Sequence, residues 1–237
     1  LSAASRKVLL IDLDAQGNST TGTGEEKNQK ETSLIDVLVD NDSALEKVIE
    51  ETRYKFDLIP ASTDLISAEI ELSSLPSPTA ILKEKLKDLG EAYDYTVIDC
   101  PPSLGMLSVS ALRAASKVLI PLQCEYYSLE GLASMNKTIN EINDATGEKI
   151  EISGILRTMY DSRIRLSREV SQELEEHFSE QLCDTVIPRN VKLAEAPSFG
   201  MPALYYEPEV KGTLAYLALA GEIINKYETN SASLIND

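Results

Sequence analysis

Three aspartates carry the chemistry this sequence could do. Val8-Leu9-Leu10-Ile11-Asp12-Leu13-Asp14-Ala15-Gln16-Gly17-Asn18 is an apolar run of strand length that ends in two carboxylates and a Gln-Gly-Asn turn. Buried parallel strands read as near-continuous apolar runs, and open α/β sheets bind ligands beyond their carboxyl ends. Strand alternation would put Asp12 and Asp14 on one face, able to work as a pair. Aspartates also end strands and cap helices for purely local reasons, so this pair alone does not define a site. A second element shifts the balance. Tyr95-Thr96-Val97-Ile98-Asp99-Cys100-Pro101-Pro102-Ser103 is again an apolar strand ending in Asp, followed by a rigid Pro-Pro turn. Two strands that each deliver a carboxylate to one sheet edge suggest a Mg²⁺ or phosphate site.

The elements that must position these groups alternate along the chain. Strand-like runs lie at Val8–Leu13, Phe56–Pro60, Tyr95–Asp99, Lys117–Pro121, Ile152–Met159 and Thr185–Pro188. Helical patterns lie between and after them, at Ser33–Val39, Ala44–Glu51, Thr63–Leu72, Thr79–Leu89, Leu107–Ala115, Leu129–Asn143, Arg165–Phe178 and Thr213–Tyr227. Leu129, Leu132, Met135, Ile139 and Ile142 form one apolar face at helical spacing. Such alternation predicts an α/β fold, a mostly parallel sheet flanked by helices on both faces. One domain is expected over 1–229, with a polar loop over Gly22–Thr32 and a disordered tail over 230–237.

Composition narrows the function classes. The net charge of −17 disfavours generalised binding to nucleic acid or anionic membranes. Within that acidic background Arg157, Arg163, Arg165 and Arg168 stand against the single acid Asp161, and Arg189 and Lys192 follow in a later loop. A solvated helix start accounts for the same residues equally well. Cys100, Cys124 and Cys183 are widely spaced with no Cys-x-x-Cys pair, which fits a reducing cytoplasm and argues against zinc or a disulfide framework. No apolar run is long enough to span a bilayer. His177 reads as a surface helix residue.

With these residues assembled, the chain closely resembles the ParA family of partitioning ATPases, in particular its Soj-like branch, over nearly its whole length. Asp12-Leu13-Asp14-Ala15-Gln16-Gly17-Asn18 resembles the first switch of that family, D-x-D-P-Q-G-N, with Ala15 in place of proline. Ile98-Asp99-Cys100-Pro101-Pro102-Ser103 resembles its Walker B strand and second switch. Pro121–Gly131 and Ile187–Ser198 match two further signatures, in the right order. The resemblance implies that Asp14 positions the attacking water, Asp12 supports the site from behind, and Asp99 holds Mg²⁺ through its water shell. It implies that Gln16, Gly17 and Asn18 sense the γ-phosphate of ATP, that Pro188, Arg189 and Asn190 border the adenine, and that Arg163 and Lys192 contact DNA non-specifically. It further implies an ATP-state homodimer, a ParB-type partner that stimulates hydrolysis, and a cytoplasmic, nucleoid-associated protein.

One departure outweighs the rest. The deviant Walker A loop of the family, K-G-G-V-G-K-T-T, which cradles phosphates with backbone N–H groups and a lysine, is absent from these residues. Gly17-Asn18-Ser19-Thr20-Thr21-Gly22 has the Gly-x₄-Gly spacing, but Thr23-Gly24 follows it and it lies after the aspartate strand; it is a decoy. Leu1-Ser2-Ala3-Ala4-Ser5 reads as the end of the helix that follows the loop, so the expectation is a fragment lacking roughly 25 residues of strand, loop and helix. Such a chain is expected to hydrolyse ATP poorly. The alternative is a P-loop-less, non-catalytic DNA-binding or scaffold remnant. A receiver domain fits only the first strand. A membrane cycle like that of MinD would need a basic amphipathic C-terminal helix, which Asn230–Asp237 lacks. An iron–sulfur relative would need differently spaced cysteines; Cys100 reads instead as a small packing residue.

Overall fold

The computed structural model describes residues 1–27 and 31–233, which fall into two compact units. The first comprises Ser2–Ser116 together with Ala196–Pro202. Its elements are β1 (Val8–Asp12), α1 (Asn18–Gly22), α2 (Leu34–Val39), β2 (Glu50–Glu51), β3 (Asp57–Ile59), α3 (Ala68–Ser73), α4 (Ile81–Asp88), β4 (Tyr95–Asp99) and α5 (Met106–Ala114). The sheet order is β2-β3-β1-β4, with β1 parallel to both β3 and β4 and the short β2 antiparallel to β3.

The apolar run of β1 does what its pattern predicts. Leu9, Ile11 and the following Leu13 are fully buried against Ile59, the Leu34, Ile35, Val37 and Leu38 face of α2, Leu82 of α4 and Leu107 and Ala111 of α5. α2 is fixed at both ends. A capping box joins Ser33 and Asp36 at its start. Beyond its end, the buried Lys85 of α4 donates to the carbonyls of Asp40 (2.9 Å), Asn41 (2.9 Å) and Ser43 (2.5 Å).

The second unit comprises Lys117–Glu195 and the chain from Ala203 onward, with Leu1. It holds β5 (Lys117–Gln123), α6 (Tyr126–Thr146), β6 (Glu151–Tyr160), α7 (Arg165–His177), β7 (Leu182–Pro188), α8 (Val191–Glu195), α9 (Ala203–Tyr206) and α10 (Lys211–Ser233). Its three strands pair in parallel, in the order β5-β6-β7. Leu122, Leu132, Ile155, Val170 and Leu174 form one apolar cluster there, and Leu156, Cys183, Ile187 and Leu219 another.

The α/β class read from the sequence holds, with two differences in detail. The expected helix over Ala44–Glu51 is a single 3₁₀ turn, Leu45–Lys47, followed by β2. Leu45 and Val48 are buried at a spacing of three, which one 3₁₀ turn satisfies as well as an α-helix does. The strands also pair in two sheets rather than one, so β4 and β5 are edge strands among the described residues. The expected loop over Gly22–Thr32 lies partly outside the described residues. So does the 230–237 tail, into which α10 continues as far as Ser233.

Lys85→Met leaves three buried-side carbonyls without their donor. It should lower unfolding stability by about 2–4 kcal/mol in urea titration, the range for stranding hydrogen-bonding partners of a charged group.

Candidate functional site

Strand register builds the site. β1 and β4 pair in parallel with Asp12 directly beside Asp99, each the last residue of its strand. Asp12 is completely buried. Its Oδ2 accepts from the Thr20 amide and the Thr20 hydroxyl, both at 2.8 Å, and its Oδ1 from the Asp14 amide at 3.2 Å. Asp99 is half-buried, and its Oδ2 accepts from the Ser19 hydroxyl at 2.5 Å. Ser19 and Thr20 therefore tie both carboxylates to α1.

The turn between them is shaped by Asp14 and Gly17. β1 ends at Asp12, so Asp14 stands beyond the strand rather than on a shared strand face. Its Oδ1 accepts from the Gln16 amide at 2.9 Å and its carbonyl from the Gly17 amide at 2.8 Å. Gly17 takes φ +62°, a left-handed conformation open to glycine, and heads α1. Gln16 and Asn18 are exposed on either side of it. Lys27 folds back over Gly17 and donates to the carbonyls of Ala15 (3.3 Å) and Gln16. The Gly-x₄-Gly stretch is a turn followed by a one-turn helix.

Electrostatics sets the state of the pair. Burial pushes the Asp12 carboxyl above its ordinary range, reinforced by the negative charge of Asp99 and opposed by the three hydrogen bonds. Folding therefore favours the protonated acid. The stability that Asp12 contributes is greatest below the ordinary carboxylate range and declines as pH rises through the higher folded value.

The donor set is all oxygen, which suits a hard divalent cation such as Mg²⁺. Asp99 and the Ser19 hydroxyl are the groups that would hold one. No group of three or more His, Cys, Asp or Glu that could hold a metal gathers among the described residues. For phosphates the fit is poorer: no glycine-rich lysine loop stands at these carboxylates.

The remaining sequence-predicted residues lie in the second unit. Pro188 ends β7 in register with Tyr160, and the Arg189 amide donates to the Tyr160 carbonyl at 3.1 Å. Asn190 caps the next turn through the Lys192 amide at 2.8 Å. Arg163 pairs with Asp161 at 2.5 Å, and this contact, helped by Arg189, holds the Asp161 carboxyl down at about 2. Lys192 pairs with Glu195 at 2.8 Å, with its ammonium 5.7 Å from the Tyr206 ring centre.

Two residues differ from their sequence-based expectations. Arg157 does not belong to the basic patch. It is 8% exposed and bonds Ser171 (2.9 Å), Glu175 (2.6 Å) and the Cys183 carbonyl (3.1 Å), pinning α7 and β7 to β6. Cys100 is exposed rather than packed. Ser19 and Thr20, which join the site through their hydrogen bonds to Asp99 and Asp12, are residues that sequence reasoning missed. Their only signal was a run of hydroxyls, Ser19-Thr20-Thr21, directly after the glycine turn.

Comparison with known proteins gives the family and the fold. The family described as an AAA domain matches residues 1–152. The chromosome partitioning protein ParA of Caulobacter vibrioides is 42% identical, covering 98% of this chain and 88% of its own length. The sporulation initiation inhibitor protein Soj of Bacillus subtilis is 43% identical, covering 94% of this chain and 88% of its own length. Among solved structures, cobyrinic acid a,c-diamide synthase from Mycobacterium smegmatis with bound ATP analog and magnesium superposes with TM-score 0.82 at 30% identity, covering 97% of this chain and 86% of that one.

Thr20→Val deletes one bond to Asp12 and leaves the Ala61 amide, which donates to the Thr20 hydroxyl at 2.9 Å, without its acceptor. The variant should be less stable by about 1–3 kcal/mol. Its urea midpoint should also fall more steeply between pH 4 and pH 8 than that of the parent, because Asp12 loses an interaction that favours its ionised form (~pH values spanning the ordinary carboxylate range and above).

Proposed function

The chain belongs to the ParA/Soj family of chromosome-partitioning ATPases, and on that premise we propose that it is the switch-bearing part of an ATP-driven, DNA-binding partitioning protein. The observation that carries the reading is the Asp12–Asp99 register, with both carboxylates bonded to the helix that follows the Asp14–Gly17 turn. Movement of that turn would be felt by both acids through Ser19 and Thr20. Asp14, free of the strand, presents its carboxylate beyond the sheet edge and orients the attacking water. Asp99 holds Mg²⁺ through water, and Asp12 anchors α1 from behind. Gln16, Gly17 and Asn18 follow the terminal phosphate. Bound Mg²⁺ supplies neutralisation of the charge that develops on the phosphoryl oxygens.

Pro188, Arg189 and Asn190 border the adenine in this reading. Arg163 and Lys192 bind DNA phosphates. Each already holds a carboxylate, Asp161 and Glu195, so binding a DNA phosphate exchanges one anionic partner for another. An acidic chain with so small a basic strip gains DNA affinity when a homodimer doubles it. A ParB-type partner then stimulates hydrolysis and releases the nucleoid-bound state.

The reading places the phosphate loop outside these 237 residues. The position of β4 at the edge of its sheet among the described residues supports this. A second reading, a non-catalytic remnant, rests on the lack of a lysine loop within the sequence. Joining the chain to a strand–loop–helix bearing Lys-Gly-Gly-Val-Gly-Lys-Thr-Thr separates the two. Mg²⁺-dependent ATP binding by that protein supports the switch reading, and failure to bind ATP leaves the remnant.

In the loop-bearing protein, Asp14→Ala should retain ATP and DNA binding while turnover falls by about 10²-fold or more, the scale for loss of a residue that assists proton transfer or positioning. Unimpaired hydrolysis would overturn its role. Arg163→Ala with Lys192→Ala should abolish DNA retention in a salt-titrated filter assay and leave ATP binding intact. The slope of log affinity against log salt should shrink by about 0.9 for each DNA phosphate that is no longer neutralised. Arg157→Met, by contrast, should reduce stability and leave that slope unchanged.

A further inference from the structure

A segment far along the chain closes on α1 and has no role in the site as described so far. Ala196–Phe199 form a 3₁₀ turn, and with Gly200–Pro202 they belong to the same compact unit as β1 and α1. The turn is held internally by the Gly200 amide on the Pro197 carbonyl at 3.0 Å and the Met201 amide on the Ala196 carbonyl at 3.3 Å. Its tip meets the end of α1 at two glycines, Gly24 (φ +79°) and Gly200 (φ +59°). A Cβ on Gly24 would stand 2.7 Å from the Gly200 carbonyl oxygen, and a Cβ on Gly200 2.9 Å from the Gly24 Cα. Both clashes are with backbone, which cannot swing aside, so the contact is open to glycine alone. Pro197 also lies beside Gly22, at a distance that would leave a Cβ there in ordinary contact at 4.0 Å.

Two neighbouring side chains clamp the tip from a third segment. The Gly200 carbonyl accepts from the Arg53 guanidinium at 3.2 Å and from the Tyr54 hydroxyl at 3.1 Å, and the guanidinium sits 5.0 Å from the Tyr54 ring centre. α1 spans five residues, too few to be stable as an isolated helix. Its position must come from contacts at its ends. At one end are the Asp12 and Asp99 bonds through Thr20 and Ser19, and at the other the Gly24–Gly200 contact.

We propose that the Ala196–Pro202 strap positions α1, and through it the hydrogen bonding of Asp12 and Asp99, with Arg53, Tyr54 and Gly200 as the positioning residues. The inference rests on reading α1 as part of the switch. A switch helix that moves must displace Gly200 or slide past it. Ala196 follows directly in the chain on Glu195, the partner of Lys192. The strap therefore joins the switch helix to the segment assigned to DNA.

The test uses the 237-residue chain itself. Hydrogen exchange read by mass spectrometry, and the ¹H–¹⁵N resonance of the Thr20 amide, are compared for the parent, Tyr54→Phe, Arg53→Met with Tyr54→Phe, and Gly200→Ala. Loss of both clamp bonds should speed exchange over residues 18–24 by about tenfold, the scale of one to two hydrogen bonds. Tyr54→Phe alone should give an intermediate rate, and β1 and β3 should be unaffected. The Thr20 resonance, which reports its bond to Asp12, should move although no substituted side chain touches it. Unchanged exchange over 18–24, acceleration spread uniformly through β1 and β3, or a fixed Thr20 resonance in the clamp variants would each overturn the proposal. Should Gly200→Ala fail to fold, the clamp variants still decide. Turnover by Asp14→Ala reports on the switch reading alone, so the two ideas fail separately.

Discussion

A fully buried carboxylate is the constraint on which the first unit turns. Asp12 ends the central strand of its sheet, where the register of β1 and β4 sets a second acid beside it. Burying a charge is costly unless hydrogen bonds replace the lost water, and Asp12 receives three. Two of them come from Thr20, whose hydroxyl in turn accepts from the Ala61 amide just past β3. α1 and the ends of β1 and β3 are thus fastened around one group. Neighbouring Asp99 meets the same need more cheaply, since it is only half-buried and is served by Ser19.

How much of this was legible beforehand depends on what each residue signals locally. The strands that carry Asp12 and Asp99 were readable because a long apolar run ending in acid is a pattern that surface loops and amphipathic helices do not produce. Their adjacency was not, because strand order leaves no mark on periodicity. The same gap accounts for one expected sheet being two ladders. Residues 44–51 were misread because Leu45 and Val48 repeat at a spacing shared by α and 3₁₀ turns, while Glu50 and Glu51 pair with Asp57 and Leu58 across a turn in which Lys55 takes φ +63°. A lysine in a left-handed conformation gives no warning in sequence. Ser19 and Thr20 were missed because hydroxyls are common at helix starts, where capping ordinarily accounts for them.

Arg157 and Arg163 show the same limit for charge. They are six positions apart in one arginine-rich stretch, and composition treats them alike. The strand alternation of β6 turns Arg157 inward, where Ser171, Glu175 and a carbonyl surround it, while Arg163 stands beyond the strand with its side chain 88% exposed. Removing a buried arginine strands its partners, whereas removing an exposed one alters only a screened field. The chain carries 39 acids against 22 bases, and Arg163 and Lys192 each stand paired with a carboxylate.

The open side of β4 closes the physical argument. All-parallel strands are ordinarily covered on both sides, and an unprotected edge with exposed apolar residues is a template for another strand. β4 presents such an edge, and Asp99 stands at its carboxyl end. The register that sets Asp12 beside Asp99 on one flank would act on the other flank too. A parallel strand added there would deliver the first residues of its following loop next to Asp99, on the side away from Asp12.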